Sequence, residues 1–146
     1  MDATSPKITI LLAEDEEIVR RLVVELLTRA GYEVLAAANG VLALEVARTH
    51  RSRIHLLISD VAMPAMTGVE LARQIGALHP DTKILLISGY ADPAAIEELK
   101  LQAGFAYLRK PFTPQTLLQQ ARLLLESGPG VSAAGLAVNV AAGKSV

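Results

Sequence analysis

Short apolar segments alternate with helical patterns five times along this 146-residue chain. The predicted strands are leucine-rich and β-branched and cover residues 8–13, 33–37, 54–59, 83–88 and 105–109. Helices are predicted at about residues 16–30, 40–50, 68–78, 93–103 and 114–126. Parallel strands need crossover connections, and continuous apolar strands are typical of a sheet buried on both faces. The order therefore predicts an α/β fold, a doubly wound parallel sheet of five strands with five helices.

Several helix boundaries carry local signals. Thr67 and Glu70 have the spacing of a capping box, and Thr113 followed by proline is typical of a helix start. Gly31 is expected to end the first helix. That helix also has an apolar stripe that is predicted to pack on the sheet and is formed by Ile18, Leu22 and Leu26, with Val19, Val23 and Leu27 beside them.

Composition narrows the possible functions. The chain is 51% hydrophobic and 20% charged, which indicates a globular domain with a large core. A formal charge of −1 gives no general attraction to nucleic acid or to a membrane surface. The absence of cysteine excludes disulfides, thiolate metal sites and cysteine nucleophiles. With a polar N-terminus and no apolar run near the roughly 18 residues of a membrane span, a cytoplasmic location is predicted.

Charged and polar residues lie where four of the predicted strands end. They are Glu14 and Asp15 after the first strand, Asp60 after the third, Ser88 at the end of the fourth and Lys110 after the fifth. Ligands of such sheets bind outside the carboxyl ends of the strands, so these side chains are expected to converge there. Two carboxylates about 4 Å apart repel by roughly 4 kcal/mol at an effective dielectric of about 20, so three of them demand a cation. Oxygen ligands without cysteine or a nearby histidine favour Mg²⁺, or Mn²⁺ in its place.

This set of side chains suits phosphoryl transfer. A hard cation and Lys110 would neutralise the equatorial oxygens of a phosphoryl group, while the hydroxyl of Ser88 would donate to one of them. The carboxylate of Asp60 would then attack the phosphorus in line. Asp60 is therefore predicted to be a nucleophile that accepts a phosphoryl group.

Four motifs in this order resemble the receiver domain of two-component response regulators, in its chemotaxis-regulator-like, single-domain form. They are LLAEDEE, LLISDVAMPAMTG, ILLISGYA and YLRKPF, and the resemblance covers residues 7–126. It implies a flavodoxin-like sheet of order 2-1-3-4-5. It further implies a signalling switch, not an enzyme beyond its own phosphorylation and dephosphorylation, with a sensor histidine kinase or phosphotransfer protein as donor. The output surface would be the fourth helix, fifth strand and fifth helix, facing an unidentified protein target.

The resemblance also implies roles for individual residues of the site. Asp60 is the implied phospho-acceptor, and Ser88 and Lys110 match the hydroxyl and the lysine of the family. A glutamate at the first acidic position is a common variant. The implied metal ligands are Asp15 and Asp60 directly, Glu14 mainly through water, and the backbone carbonyl of Ala62.

Further implied roles concern the signalling change and its lifetime. Ser88 would move toward the phosphoryl group, and Tyr107 would be the aromatic residue whose rotamer follows. The peptide bond before Pro111 is expected to be cis. Ala62 and Tyr90 occupy two positions where a polar side chain could orient a hydrolytic water. Ala62 has no such group and the ring of Tyr90 could shield the approach, which predicts slow self-dephosphorylation.

Other protein classes explain fewer residues. An aspartyl-phosphate hydrolase of the haloacid dehalogenase type needs a second aspartate two residues after the nucleophile, where this chain has Ala62. A nucleotide-binding flavodoxin-like protein needs glycines and backbone donors after the first strand, whereas the acidic AEDEE would repel phosphate in the absence of a metal. His50, His55 and His79 are expected to face solvent, and none lies in a recognisable phospho-donor helix.

Three segments are expected. Residues 1–6 are an N-terminal extension, residues 7–126 the receiver domain, and residues 127–146 a flexible Gly/Ala-rich tail with no DNA-binding output motif. Two interpretations within the family remain open. The chain is either a stand-alone regulator, which its initial Met favours, or a receiver fragment of a hybrid histidine kinase.

Overall fold

The computed structural model describes residues 7–89 and 104–127, and its five strands form one sheet. They are β1 (Thr9–Ala13), β2 (Glu33–Ala37), β3 (Leu56–Asp60), β4 (Lys83–Ser88) and β5 (Phe105–Arg109). All neighbouring strands are parallel, and their order is β2-β1-β3-β4-β5. The flavodoxin-like sheet and its strand order are therefore confirmed. Only β3 differs noticeably from its prediction, because it begins two residues later and includes Asp60 as its last residue.

The described residues contain four helices, each of which begins within one residue of its predicted start. They are α1 (Glu17–Arg29), α2 (Gly40–Thr49), α3 (Gly68–Leu78) and α4 (Pro114–Glu126). The helix predicted at residues 93–103 lies outside the described residues. Thr113 caps α4 as predicted, since its side chain accepts a hydrogen bond from Thr116 N–H.

The capping box predicted for α3 is half formed in the described structure. Thr67 accepts a hydrogen bond from Glu70 N–H at 3.1 Å. The Glu70 carboxylate, however, accepts a hydrogen bond from Gln74 and lies 3.7 Å from Arg73. Glu70 thus interacts along the exposed face of its own helix, where residues three and four positions apart are neighbours.

The hydrophobic core lies on both faces of the sheet, because alternate residues of each strand point to opposite sides. On one face, Leu11, Leu57 and Leu86 pack with residues of α2 and α3. On the other, Ile10 and Ile58 belong to a cluster that includes buried residues of α1 and α4. With both faces covered by helices, polar side chains can gather only at the two ends of the strands.

The apolar stripe of α1 is narrower than the sequence analysis predicted. Val23 and Leu27 are buried, whereas Ile18 and Leu22 are 76% and 61% exposed. Val19 and Leu26 are partly buried against the same cluster. Each residue of an α-helix turns the chain by about 100°, so Ile18 and Leu22 lie on a face directed away from the sheet. A helix lying on a sheet buries one face, and this leaves Ile18 and Leu22 at the surface.

The prediction that the histidines face solvent is wrong. His55 Nδ1 accepts a hydrogen bond from Thr9 N–H at 3.0 Å, and His79 Nε2 lies 2.9 Å from the carbonyl oxygen of Ala47. His50 is half-buried and its Nε2 atom is fully enclosed. Contacts with residues far away in the sequence draw these rings inward, so their environment could not be inferred from local polarity.

Candidate functional site

Three carboxylates lie together at the carboxyl ends of β1 and β3. One oxygen from each of Glu14, Asp15 and Asp60 lies within 4.8 Å of the other two. β1 and β3 are parallel neighbours with Ala13 opposite Ser59, which carries the residues that follow them to the same edge of the sheet. Glu14 and Asp60 are buried, whereas Asp15 is exposed. The structure thus brings together the three acidic side chains that the sequence analysis placed at this edge.

Lys110 approaches the carboxylates from the end of β5. Its Nζ atom lies 2.9 Å from Asp60 Oδ2, and the two side chains are 34% and 8% exposed. The Lys110–Pro111 peptide bond is cis, which is the isomer that the resemblance implies. Lys110 N–H also donates to the carbonyl of Ser88 at 3.0 Å, which ties the end of β5 to the end of β4.

The environment of the site shifts the pKa of two of its groups. Burial raises the pKa of Glu14 and the charge of Asp60 raises it further, although a hydrogen bond from Glu16 N–H opposes the shift. Burial by itself lowers the pKa of Lys110, but the hydrogen bond and charge of Asp60, together with Glu14, reverse the shift and the pKa is raised. Lys110 is therefore a firmly charged ammonium among carboxylates. One positive charge does not neutralise three negative ones.

The carboxylate of Asp60 is held at both oxygens. Lys110 binds Oδ2, and the backbone N–H of Ala62 donates to Oδ1 at 3.1 Å. Both partners are hydrogen-bond donors, and one of them is charged, so together they fix the orientation of the carboxylate. An oriented carboxylate at the carboxyl end of a strand is suited to act as a nucleophile.

Gly68 packs closely against the backbone carbonyl of Asp60, a contact that the sequence analysis did not predict. Its N–H donates to the carbonyl of Val61 at 2.9 Å, which closes the loop after β3. A Cβ atom at this position would overlap the carbonyl oxygen of Asp60 and would lie 3.0 Å from Ser59 Oγ. The available signal was the position of this glycine, directly after the Thr67 cap of α3, where no turn requires a glycine.

The side chain of Tyr107 is hydrogen-bonded to the backbone of Ser88. Ser88 is the last residue of β4 and is 2% exposed. Its carbonyl oxygen accepts a hydrogen bond from the hydroxyl of Tyr107 at 3.2 Å. Tyr107 is half-buried and packs against the core on the α2 and α3 side of the sheet. The role predicted for Tyr90 concerns a residue outside the described ranges.

The acidic cluster fits a hard divalent cation. All of its ligand atoms are carboxylate oxygens, and the exposed Asp15 leaves the site open to the waters that Mg²⁺ keeps. Among the residues that the structure describes, it is the only group of three acidic or histidine side chains spaced to hold an ion. The cation would also supply the positive charge that Lys110 alone does not.

A model of the response regulator receiver domain matches residues 10–122. The chain therefore belongs to the receiver-domain family of two-component signalling systems, whose members accept a phosphoryl group on an aspartate. This confirms the resemblance carried by the four strand-end motifs.

Two relatives from Brucella abortus represent different kinds of protein. The response regulator receiver protein CpdR is 38% identical over 116 residues, which are 80% of this chain and 95% of CpdR. The sensor kinase CckA is 41% identical over 118 residues, which are 81% of this chain and 12% of the kinase. This chain therefore spans only a small part of that kinase.

Solved structures show the same pair of similarities. The Vibrio cholerae chemotaxis protein CheY4 is 34% identical with a TM-score of 0.73, over 82% of this chain and 99% of that one. The receiver domain of the hybrid histidine kinase CckA is 36% identical with a TM-score of 0.69, over 81% of this chain and 99% of that one. The fold is thus shared by stand-alone and hybrid-kinase receivers.

Proposed function

We propose that this domain is a phosphorylation-dependent switch that accepts a phosphoryl group on Asp60. The observation that carries the proposal is the position of the Asp60 carboxylate, 2.9 Å from the Lys110 ammonium and beside the carboxylates of Glu14 and Asp15. A buried carboxylate with a fixed cation on one side and a candidate metal site on the other has what an aspartyl nucleophile requires.

Asp60, Lys110 and Ser88 each have a separate role in the proposed phosphoryl transfer. An oxygen of Asp60 attacks the phosphorus, the bond between phosphorus and the donor breaks, and an acyl phosphate forms. Lys110 faces Asp60 already and would neutralise an oxygen of the incoming group. Ser88, at the end of β4, would donate its hydroxyl to another. The donor would be the phosphorylated histidine of a sensor kinase or of a phosphotransfer protein.

We assign Mg²⁺, or Mn²⁺, to the acidic cluster. The proposed ligands are Asp15 and Asp60 directly, Glu14 mainly through water, and the backbone carbonyl of Ala62. When bound, the ion supplies positive charge to the oxygens of the phosphoryl group. Oxygen-only ligands and the excess of negative charge in the cluster support the assignment.

The signalling change is proposed to begin at Ser88. Its carbonyl accepts hydrogen bonds from Tyr107 and from Lys110 N–H, so a movement of Ser88 toward a phosphoryl group would alter both contacts. Rotation of Tyr107 would then remodel the surface of β5, α4 and residues 93–103, where a protein target would bind. Ala62 and Tyr90 are proposed to slow hydrolysis, because Ala62 has no side-chain group to orient a water and the ring of Tyr90 would shield the approach.

The proposed domain limits are those predicted from the sequence, with an extension at residues 1–6, a receiver at 7–126 and a tail at 127–146. No helix within the described ranges is long and apolar enough to cross a bilayer. We propose a cytoplasmic location and no contact with nucleic acid. Stand-alone regulator and hybrid-kinase receiver both remain as proposals, since relatives of each kind match the chain.

Labelling with acetyl phosphate in the presence of Mg²⁺ tests the function. Intact-mass analysis should show one added phosphoryl group in the wild type and none in Asp60→Asn. Asp81→Asn is the matched control, because this exposed aspartate precedes β4 at the other edge of the sheet and should be labelled like the wild type. Label in Asp60→Asn, or label without a divalent ion, would contradict the assignment. Continuous turnover of p-nitrophenyl phosphate would indicate a hydrolase instead.

A further inference from the structure

Arg20 and Arg21 are adjacent in the first turns of α1 but have different partners. The Nη1 atom of Arg20 donates to the backbone carbonyl of Glu14 at 3.0 Å, and its side chain is half-buried. Arg21 is 78% exposed and lies 3.8 Å from the carboxylate of Glu17. Arg20 thus holds the loop between β1 and α1, whereas Arg21 takes part in a surface ion pair.

Glu14 is fixed at three points of its structure. Its N–H donates to the carbonyl of Ala37 at 3.1 Å, its carboxylate accepts from Glu16 N–H at 3.1 Å, and its carbonyl accepts from Arg20. A carbonyl and the nitrogen that follows it belong to one planar peptide unit. The contact with Arg20 therefore sets the orientation of the Glu14–Asp15 peptide unit, whose nitrogen belongs to Asp15.

Asp15 has no such support of its own. In the part of the chain that the structure describes, no hydrogen bond or ion pair holds its carboxylate, which is exposed. Its distance from Glu14 and Asp60 thus depends on the backbone that carries it. We propose that Arg20 is a positioning residue of the metal site, which holds the Glu14–Asp15 peptide so that the Asp15 carboxylate can reach the ion. The inference rests on the proposed function, because it takes the acidic cluster as the site of Mg²⁺.

A positioning role and a purely electrostatic role of Arg20 predict opposite changes in Mg²⁺ affinity when this residue is replaced. A positive charge near the cluster repels a second cation, so removal of the charge alone would strengthen Mg²⁺ binding. Removal of a charge-assisted hydrogen bond that orients a ligand would weaken it. The sign of the change therefore separates a positioning role from a purely electrostatic one.

Calorimetric titration of Mg²⁺ into the metal-free protein tests the proposal with Arg20→Met. Methionine keeps most of the aliphatic stem of arginine but removes the donor. We expect Kd for Mg²⁺ to rise about three- to tenfold, which is less than the full loss of a hydrogen bond to a charged donor because removal of the arginine charge partly offsets it. Arg21→Met removes the same charge from the next residue and should leave Kd within about twofold of the wild type. Arg20→Lys, which keeps a cationic donor, should restore part of the affinity.

Each outcome distinguishes the inference from the proposed function. If the wild type does not bind Mg²⁺, the metal site itself is wrong. If the wild type binds and Arg20→Met binds equally or more tightly, the metal site stands and the role of Arg20 is refuted. A lower melting temperature in EDTA with unchanged Kd would likewise show a structural role alone. If Arg20→Met does not fold, Arg20→Gln, whose amide donor is shorter and uncharged, carries the same comparison.

Discussion

Polar groups have different partners at the two ends of the strands, which are called here the amino edge and the carboxyl edge of the sheet. At the amino ends of the strands, polar groups pair within the domain. Thr82 donates its hydroxyl to the carbonyl of Ile54 at 2.6 Å, and Lys83 Nζ donates to the hydroxyl and carbonyl of Ser127 at 2.7 and 2.8 Å. The ring of His55 accepts a backbone N–H of β1. This edge therefore contributes hydrogen bonds that stabilise the fold.

At the carboxyl ends, like charges are brought together instead. Three carboxylates meet one ammonium, and only Asp60 is in direct contact with it among the described residues. Such an arrangement is expected to lower the stability of the metal-free domain, because the carboxylates repel one another. The comparison teaches that the unpaired charge, and not polarity as such, distinguishes the end of the sheet that carries the proposed site.

The largest effect is expected at Gly68, where the loop of the acidic edge touches the backbone of Asp60. Gly68→Ala should lower the free energy of unfolding by about 1–3 kcal/mol, since the added methyl group overlaps the Asp60 carbonyl. The displaced loop should also slow labelling by acetyl phosphate. Urea unfolding and the labelling rate measure the two effects.

Gly76→Ala is the matched control within the same helix. A Cβ atom at Gly76 meets no atom within 4 Å, and alanine is the better helix former. We therefore expect the free energy of unfolding of this variant to be about 0.5–1 kcal/mol higher than that of the wild type. Equal stability of the two variants would show that the contact behind Asp60 tolerates a side chain.

A smaller effect of opposite sign is expected at Asp15. Asp15→Asn removes one of the three crowded charges, so the metal-free protein should become more stable, by no more than about 1 kcal/mol because the group is exposed. The same change should weaken Mg²⁺ binding. Thermal unfolding in EDTA and with Mg²⁺ measures both, with Asp81→Asn as the control. A metal-free Asp15→Asn protein that melts below the wild type would argue against repulsion at this edge.

The smallest change in the free energy of unfolding is expected at the amino ends of the strands, and it depends on pH. Burial lowers the pKa of His55 below 6.5, and the nearby charge of Arg53 lowers it further. The unfolded chain then binds more protons than the folded one, so stability present above about pH 6.5 is lost as the pH falls through the folded pKa. His55→Gln keeps a hydrogen-bond acceptor that does not titrate, so the wild type should lose stability relative to this variant on acidification. Urea unfolding between about pH 7.5 and pH 5 checks this, and parallel curves would disprove it.

The outline of the fold and most of the site residues could be predicted from the sequence because the signals are local. Apolar runs between helical patterns define β1 to β5, and parallel connection places Glu14, Asp60 and Lys110 at one edge whatever the details of packing. The four motifs at the strand ends were sufficient to identify the receiver family, which the comparisons confirm. These features depend on residue order and periodicity.

Tertiary structure decided how distant segments meet. Thr9 and His55, which share a hydrogen bond, are 46 positions apart, and Asp60 and Lys110 are 50 apart. The partly buried environment of His55, the exposed face of α1 at Ile18 and Leu22, and the overlap that excludes a side chain at Gly68 all follow from such approaches. Local sequence records the polarity and propensity of each residue, whereas burial and contact distance arise only when helices pack onto the sheet.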